Sequence, residues 1–137
     1  MPADVFFDTN VLLYLLSDDA RKAGCAEEIL SLGGVVSVQV LNEFAAAALG
    51  KKMLDFAELR ENLETIRTVC NVKAVDLETH ELGLTLAERY HFSVCDSMIV
   101  AAALRAGCTT LYSENFQRRQ TIERLTIRDP FGDLTPP

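Results

Sequence analysis

Proline is nearly missing from this chain of 137 residues: four occur, at positions 2, 130, 136 and 137. Nothing between positions 2 and 130 therefore carries the fixed φ and lost donor that would break a helix or a central strand. There is no Pro- or Gly-rich linker, low-complexity tract or internal repeat either, so a single domain over residues 1–137 is expected. No apolar run approaches the roughly 20 residues of a membrane span. No basic lead with a small-residue cleavage site opens the chain. A cytoplasmic protein without membrane association is expected by default. Basic charge is also scarce: 13 Lys and Arg stand against 20 Asp and Glu, for a net charge of −7. Tight, sequence-blind binding to nucleic acid normally rests on a surplus of cations, and that surplus is lacking. An enzyme that handles phosphates through a metal cation remains open. Cys25, Cys70, Cys95 and Cys108 form no C-x-x-C pair, and neither His80 nor His91 completes a zinc pattern. They read as free thiols, buried like small apolar residues.

What is present is ordinary for a globular domain, 49% hydrophobic and 24% charged, and the chain is long enough to bury a core. Its elements alternate. "DVFF" reads as a strand, followed by a helix from about residue 10 and another across "AGCAEEILSL". After Gly33-Gly34 come a strand, "VVSV", and a helix, "QVLNEFAAAALG", with Gly50 placed for a left-handed cap. "DFAELRENLETIRTVC" shows Phe56, Leu59, Leu63, Ile66, Val69 and Cys70 at helical spacing, a stripe for the core or for a partner groove. "VKAVDL" is a third strand; "ETHELGLTLAERYHF" and "SVCDSMIVAAALRAG" are helices, the second ended by Gly107. "TTLYS" is a fourth strand, and "LTIRDPF" is a candidate fifth. The alternation predicts an α/β fold whose mainly parallel sheet of four to five strands is flanked by helices on both faces. Sites in such folds form outside the carboxyl ends of the strands.

Three acids fall near that edge. Asp8 follows the first strand directly, where a carboxylate between apolar runs is costly unless capped, paired or bound to a metal. It is also a good helix N-cap. Asp96 ends the S-x-x-D capping pattern of Ser93 to Asp96. Glu43 suits an exposed helix position, yet Val40, Ala46 and Ala47 surround it with apolar neighbours. Taken together, the three would meet along one sheet edge, and like charges converging there repel unless a cation sits among them. Mg²⁺ suits such a place, since it takes oxygen ligands, keeps several waters and binds through few carboxylates. Such an ion activates water and stabilises a phosphodiester in displacement.

"FFDTNVLLYLL", "SVQVLNEF", "ERYHFSVCDSMIVAAALRAGCTTLYSENFQ" and "TIRDPF" together resemble the PIN domain, in particular its VapC toxin type. The resemblance runs from Val5 to Phe131 and is most specific over residues 88–117. It implies a ribonuclease dependent on Mg²⁺ or Mn²⁺, usually dimeric, held inactive by an antitoxin whose C-terminal segment covers the acidic groove. Asp8, Glu43 and Asp96 match the acids implied to bind metal and act in catalysis. Asn10 is implied to orient Asp8 by hydrogen bonding, and Ser113 matches a small hydroxyl residue before the fourth acidic position. That fourth place holds Asn115, which brings no charge, so one ion is expected rather than two. Glu114, its neighbour, is not expected to substitute.

Arg118-Arg119, Arg124 and Arg128 could guide phosphates toward the acids or simply face water. Lys51-Lys52 suit a helix end. Other classes fit less well. A signalling receiver needs paired early acids and a Lys after a late strand, and a haloacid-dehalogenase-type phosphatase needs D-x-D where this chain has Asp8-Thr9-Asn10. The alternative that stands is a catalytically inactive PIN domain kept to bind RNA or protein, with Asn115 as its sign.

Overall fold

Phe6 and Phe7 are both fully buried although they are neighbours on one strand. Adjacent strand residues point to opposite faces, so the sheet carrying them must be covered on both. In the computed structural model, which describes residues 4–116 and 120–132, that strand is β1 (Val5–Phe7). The chain continues through α1 (Thr9–Leu13), a 3₁₀ turn (Tyr14–Leu16), α2 (Ala20–Ser31), β2 (Gly34–Ser37), α3 (Val38–Gly50) and α4 (Phe56–Val69). Then follow β3 (Cys70–Lys73), α5 (Leu77–Tyr90), α6 (Val94–Arg105), β4 (Thr110–Tyr112), β5 (Thr121–Ile122) and β6 (Leu125–Arg128).

The strands form one sheet in the order β3-β2-β1-β4-β6-β5, parallel except for β5. Register aligns Val35, Phe6, Leu111 and Ile127 in a row across its centre, each at most 1% exposed. Progression from β1 through β2 to β3 runs one way across the sheet; the step to β4 reverses it. Right-handed crossovers then put α1 to α4 on one face and α5 with α6 on the other. The crevice where progression reverses, between β1 and β4, is where ligands bind in open α/β sheets. Helix α6 lies deepest, buried at every residue from Ser97 to Leu104. It nests against α5 because Gly83 presents no side chain: a Cβ there would come within 2.5 Å of Met98 Sδ.

The expected α/β architecture holds, with differences in detail. Six strands are present among the described residues rather than four to five; the extra one, β5, has two residues and pairs antiparallel with β6 across a tight turn at Glu123 and Arg124. So short an arm has no periodicity to read. Strand β3 covers Cys70–Lys73 instead of "VKAVDL", because the four residues of β2 offer ladder partners only from Gly34↔Cys70 to Ser37↔Lys73. Asp76 leaves the strand and caps α5. Gly50 stays inside α3, and the left-handed residue beyond that helix is Lys52, at φ 54°. Gly107, at φ 78°, does close α6 as expected. The α4 stripe divides: Leu59 and Ile66 are core, Cys70 belongs to β3, and Phe56 is 66% exposed. All four cysteines are free, with Cys70 and Cys108 buried, Cys25 half-buried and Cys95 exposed. Cys95 thus departs from the buried-thiol expectation.

Candidate active site

Strand β1 ends at Phe7 and β4 at Tyr112, so Asp8 and Ser113 emerge side by side at the carboxyl edge of the crevice. The Asp8 N–H donates to Tyr112 O at 3.0 Å, continuing the ladder one residue past the strand. Its side chain is 1% exposed. Oδ1 accepts the Thr9 N–H at 2.6 Å, and Oδ2 accepts the Ser113 hydroxyl at 2.6 Å. Burial pushes the Asp8 carboxyl up to about 6; the charges of Asp96 and Glu43 add to that, and the two hydrogen bonds work against it. The three acids therefore share one electrostatic environment. Asp8 also caps α1 through the Thr9 amide, as one of its readings expected.

Glu43 lies on α3, half-buried, with both carboxylate oxygens engaged. Oε1 accepts from Thr9 Oγ1 at 3.1 Å, and Oε2 accepts from Gln39 Nε2 at 2.7 Å. Asp96 lies in the first turn of α6. There Ser93 Oγ accepts the Asp96 N–H at 3.1 Å and makes the cap. The reciprocal half of the capping box is not formed: among the described residues, nothing hydrogen-bonds or ion-pairs with the Asp96 carboxylate. Capping thus accounts for Ser93 and leaves the acid of Asp96 unused.

Asn10 does not orient Asp8. Its Oδ1 accepts the Glu114 N–H at 3.3 Å, which fixes the loop after β4, and its Nδ2 is buried without a partner among the described residues. Orientation of Asp8 falls instead to Ser113 and the Thr9 amide. Ser113 Oγ also accepts the Asn115 N–H at 3.0 Å, so the backbone at the fourth position is tied to the hydroxyl that holds Asp8. Asn115 itself is exposed. Glu114 turns to Lys22, its Oε2 3.9 Å from Nζ, and does not replace the missing acid. Arg124 cannot guide phosphate to the acids: its Nη2 donates to Leu104 O at 3.5 Å, at the end of α6 opposite Asp96. Arg128 ends β6 at the same edge as the acids. Arg118 and Arg119 lie outside the described residues. Thr9 and Gln39 were not among the expected site residues. The signal for Gln39 was its position four residues before Glu43, one helical turn away on the same face.

Among the described residues, no group of three or more His, Cys, Asp or Glu side chains is placed to hold a metal ion. The PIN-domain profile matches residues 5–121. The chain belongs to the PIN-domain family. This PIN domain shares its fold with solved structures at low identity. A toxin–antitoxin complex from Klebsiella pneumoniae superposes with a TM-score of 0.72 at 20% identity, over 93% of this chain and 98% of that one. VapC20 of Mycobacterium tuberculosis, described as a sarcin–ricin loop cleaving toxin, gives 0.68 at 20% identity, over 83% and 92%. VapBC2 of Rickettsia felis, bound to a DNA fragment from its promoter, gives 0.65 at 15% identity, over 90% and 96%. No curated protein gave a significant match.

Proposed function

We propose that this PIN domain is a divalent-metal-dependent ribonuclease, the toxin of a toxin–antitoxin pair. The observation that carries the reading is the Asp8 carboxylate: buried at the switch point, held by two donors, and repelled by Asp96 and Glu43. Three carboxylates form an all-oxygen donor set, which fits Mg²⁺ or Mn²⁺. As placed, the three do not form a group that holds an ion by itself; Mg²⁺ keeps several waters and needs only one or two direct carboxylates. Asp8, Glu43 and Asp96 would hold the ion. When bound, it supplies charge against the developing negative phosphodiester and acidifies a water.

The chain's own residues prepare that site. Ser113 and the Thr9 amide fix Asp8 in one orientation, and each of its oxygens keeps a lone pair for a further contact. Asp96, unspent on capping, is free to bind. Asn115 offers a neutral carbonyl at most, so we propose one ion. The fold shared with a toxin that cleaves the sarcin–ricin loop supports RNA as substrate. The fold shared with a toxin–antitoxin complex supports an antitoxin partner. An acidic crevice on a chain of net charge −7 suits a basic side chain from that partner. A cytoplasmic homodimer belongs to the same proposal; no described helix is long and apolar enough to cross a membrane.

The test is cleavage of a structured RNA mixture with Mg²⁺, with Mn²⁺ and with a chelator, beside Asp96→Asn. Cleavage is expected to require metal and to vanish in the variant, whose stability stays within about 0.5 kcal/mol because Ser93 makes the cap. Undiminished cleavage by Asp96→Asn overturns the assignment of the centre. Absence of cleavage by folded, antitoxin-free protein under every metal favours the second reading, an inactive PIN domain that binds RNA or protein, which Asn115 alone supports.

A further inference from the structure

Gln39 spends both protons of one amide nitrogen on two different helices. Nε2 donates to Glu43 Oε2 at 2.7 Å on its own helix, α3, and to the carbonyl of Cys95 at 3.1 Å in the first turn of α6. Cys95 directly precedes Asp96. The other oxygen of Glu43 is taken by Thr9, which directly follows Asp8. Glu43 is thus gripped on one side by a neighbour of Asp8 and on the other by a strut to the backbone beside Asp96.

Such a strut answers a need set by the topology. Right-handed crossovers put α3 and α6 on opposite faces of the sheet, and the two helices share little direct packing. The core therefore does not by itself fix Glu43 against Asp96. Gln39 links the two helices at their first turns. A glutamine suits the place because it donates two hydrogen bonds without adding charge to three acids.

We infer that Gln39 is a positioning residue, setting the orientation of Glu43 and its distance from Asp96 so that the acids address a single divalent cation. The inference rests on the metal-dependent reading above. Partners that orient metal-binding carboxylates through hydrogen bonds typically change metal affinity by about 10- to 100-fold when removed. An effect of that size is expected here without loss of fold, since Gln39 is only half-buried and lies in the first turn of its helix.

The experiment is calorimetric titration of Mn²⁺ into the metal-free full chain. Wild type is compared with Gln39→Met, which keeps the length and removes the donor, and with Gln39→Leu, Asp96→Asn, Glu43→Gln and the Gln39→Met/Glu43→Gln pair. Urea midpoints are measured for each. The expected result is a Kd about 10- to 100-fold weaker for Gln39→Met at an unchanged urea midpoint, with no further weakening when Glu43→Gln is already present. Wild-type affinity in both Gln39 variants, while Asp96→Asn loses binding, overturns the role of Gln39 and leaves the metal centre standing. Equal weakening in the Glu43→Gln background also overturns it, because the effect would not pass through Glu43. Failure of wild type to bind Mn²⁺, or undiminished binding by Asp96→Asn, brings down the metal centre and the inference with it.

Discussion

At the scale of single residues, Asp8 sets function against stability. Its carboxyl titrates at about 6 in the fold, against an ordinary 3.8, chiefly because it is buried. Between those two pH values the folded chain keeps a proton that the unfolded chain has released. The metal-free protein should therefore lose stability as pH rises from about 4 to about 6, by up to about 3 kcal/mol. Asp8→Asn removes the charge and should show no such loss, while abolishing cleavage. The check is the difference in urea midpoint between the two proteins at pH 4, 5, 6 and 7 in chelator. A difference that stays constant across that window would rule the account out. Added Mn²⁺ should restore the wild type above pH 6, because a ligand that binds only the folded state stabilises it. Much at this scale was legible beforehand. Asp8 after a strand and Asp96 at a helix start could each be placed from local pattern; Ser113 entered only through the family resemblance, and the structure ends the fourth strand one residue before it. The partner of Asn10 could not, because it lies 104 residues away on a loop whose path is set by β4.

At the scale of elements, two glycines with different surroundings give opposite expectations. Gly34 opens β2 in contact with β1: a Cβ there would meet the Phe7 ring at 2.6 Å and Val5 O at 2.9 Å. The carbonyl belongs to the strand backbone and cannot move aside cheaply. Gly34→Ala should destabilise by about 1–3 kcal/mol through overpacking, which outweighs the few tenths to about 1 kcal/mol gained from a stiffer unfolded chain. Gly24 sits within α2, and a Cβ added there would meet nothing within 4 Å. Gly24→Ala should stabilise by about 0.5–1 kcal/mol. Urea unfolding of both variants decides the matter; the same sign for both would contradict the packing described. Helix positions were readable from apolar spacing and from the cap at Ser93, whereas the caps at Asp19, Asp55 and Asp76 emerge only in the structure, Asp76 having been read as strand. Strand lengths were not, because a partner's ladder determines where a strand stops, as β2 does for β3.

For the whole molecule, the buried residues of both sheet faces form one hydrophobic cluster, from Phe6 and Phe44 to Ile99 and Phe131. A single core of this kind should unfold in one cooperative step. Far-ultraviolet circular dichroism follows the helices, and tyrosine fluorescence reports on Tyr14, Tyr90 and Tyr112, with no tryptophan to mask it. Coincident urea transitions are expected from the two probes; separated midpoints would show that part of the sheet unfolds on its own.

The sequence by itself determined the class of fold and the types of residue at the site. Helical spacing, alternation of elements and capping are local properties, and so is the placing of an acid at the end of a strand. Only the tertiary structure decided which of those residues work together. Strand order brought Asp8 beside Ser113, 105 residues apart, and the reversal between β1 and β4 opened the crevice they share. The same topology put α3 and α6 on opposite faces and left Gln39 to link them. Contacts across the end of a sheet depend on how every strand is laid down, and no local window of residues carries that information.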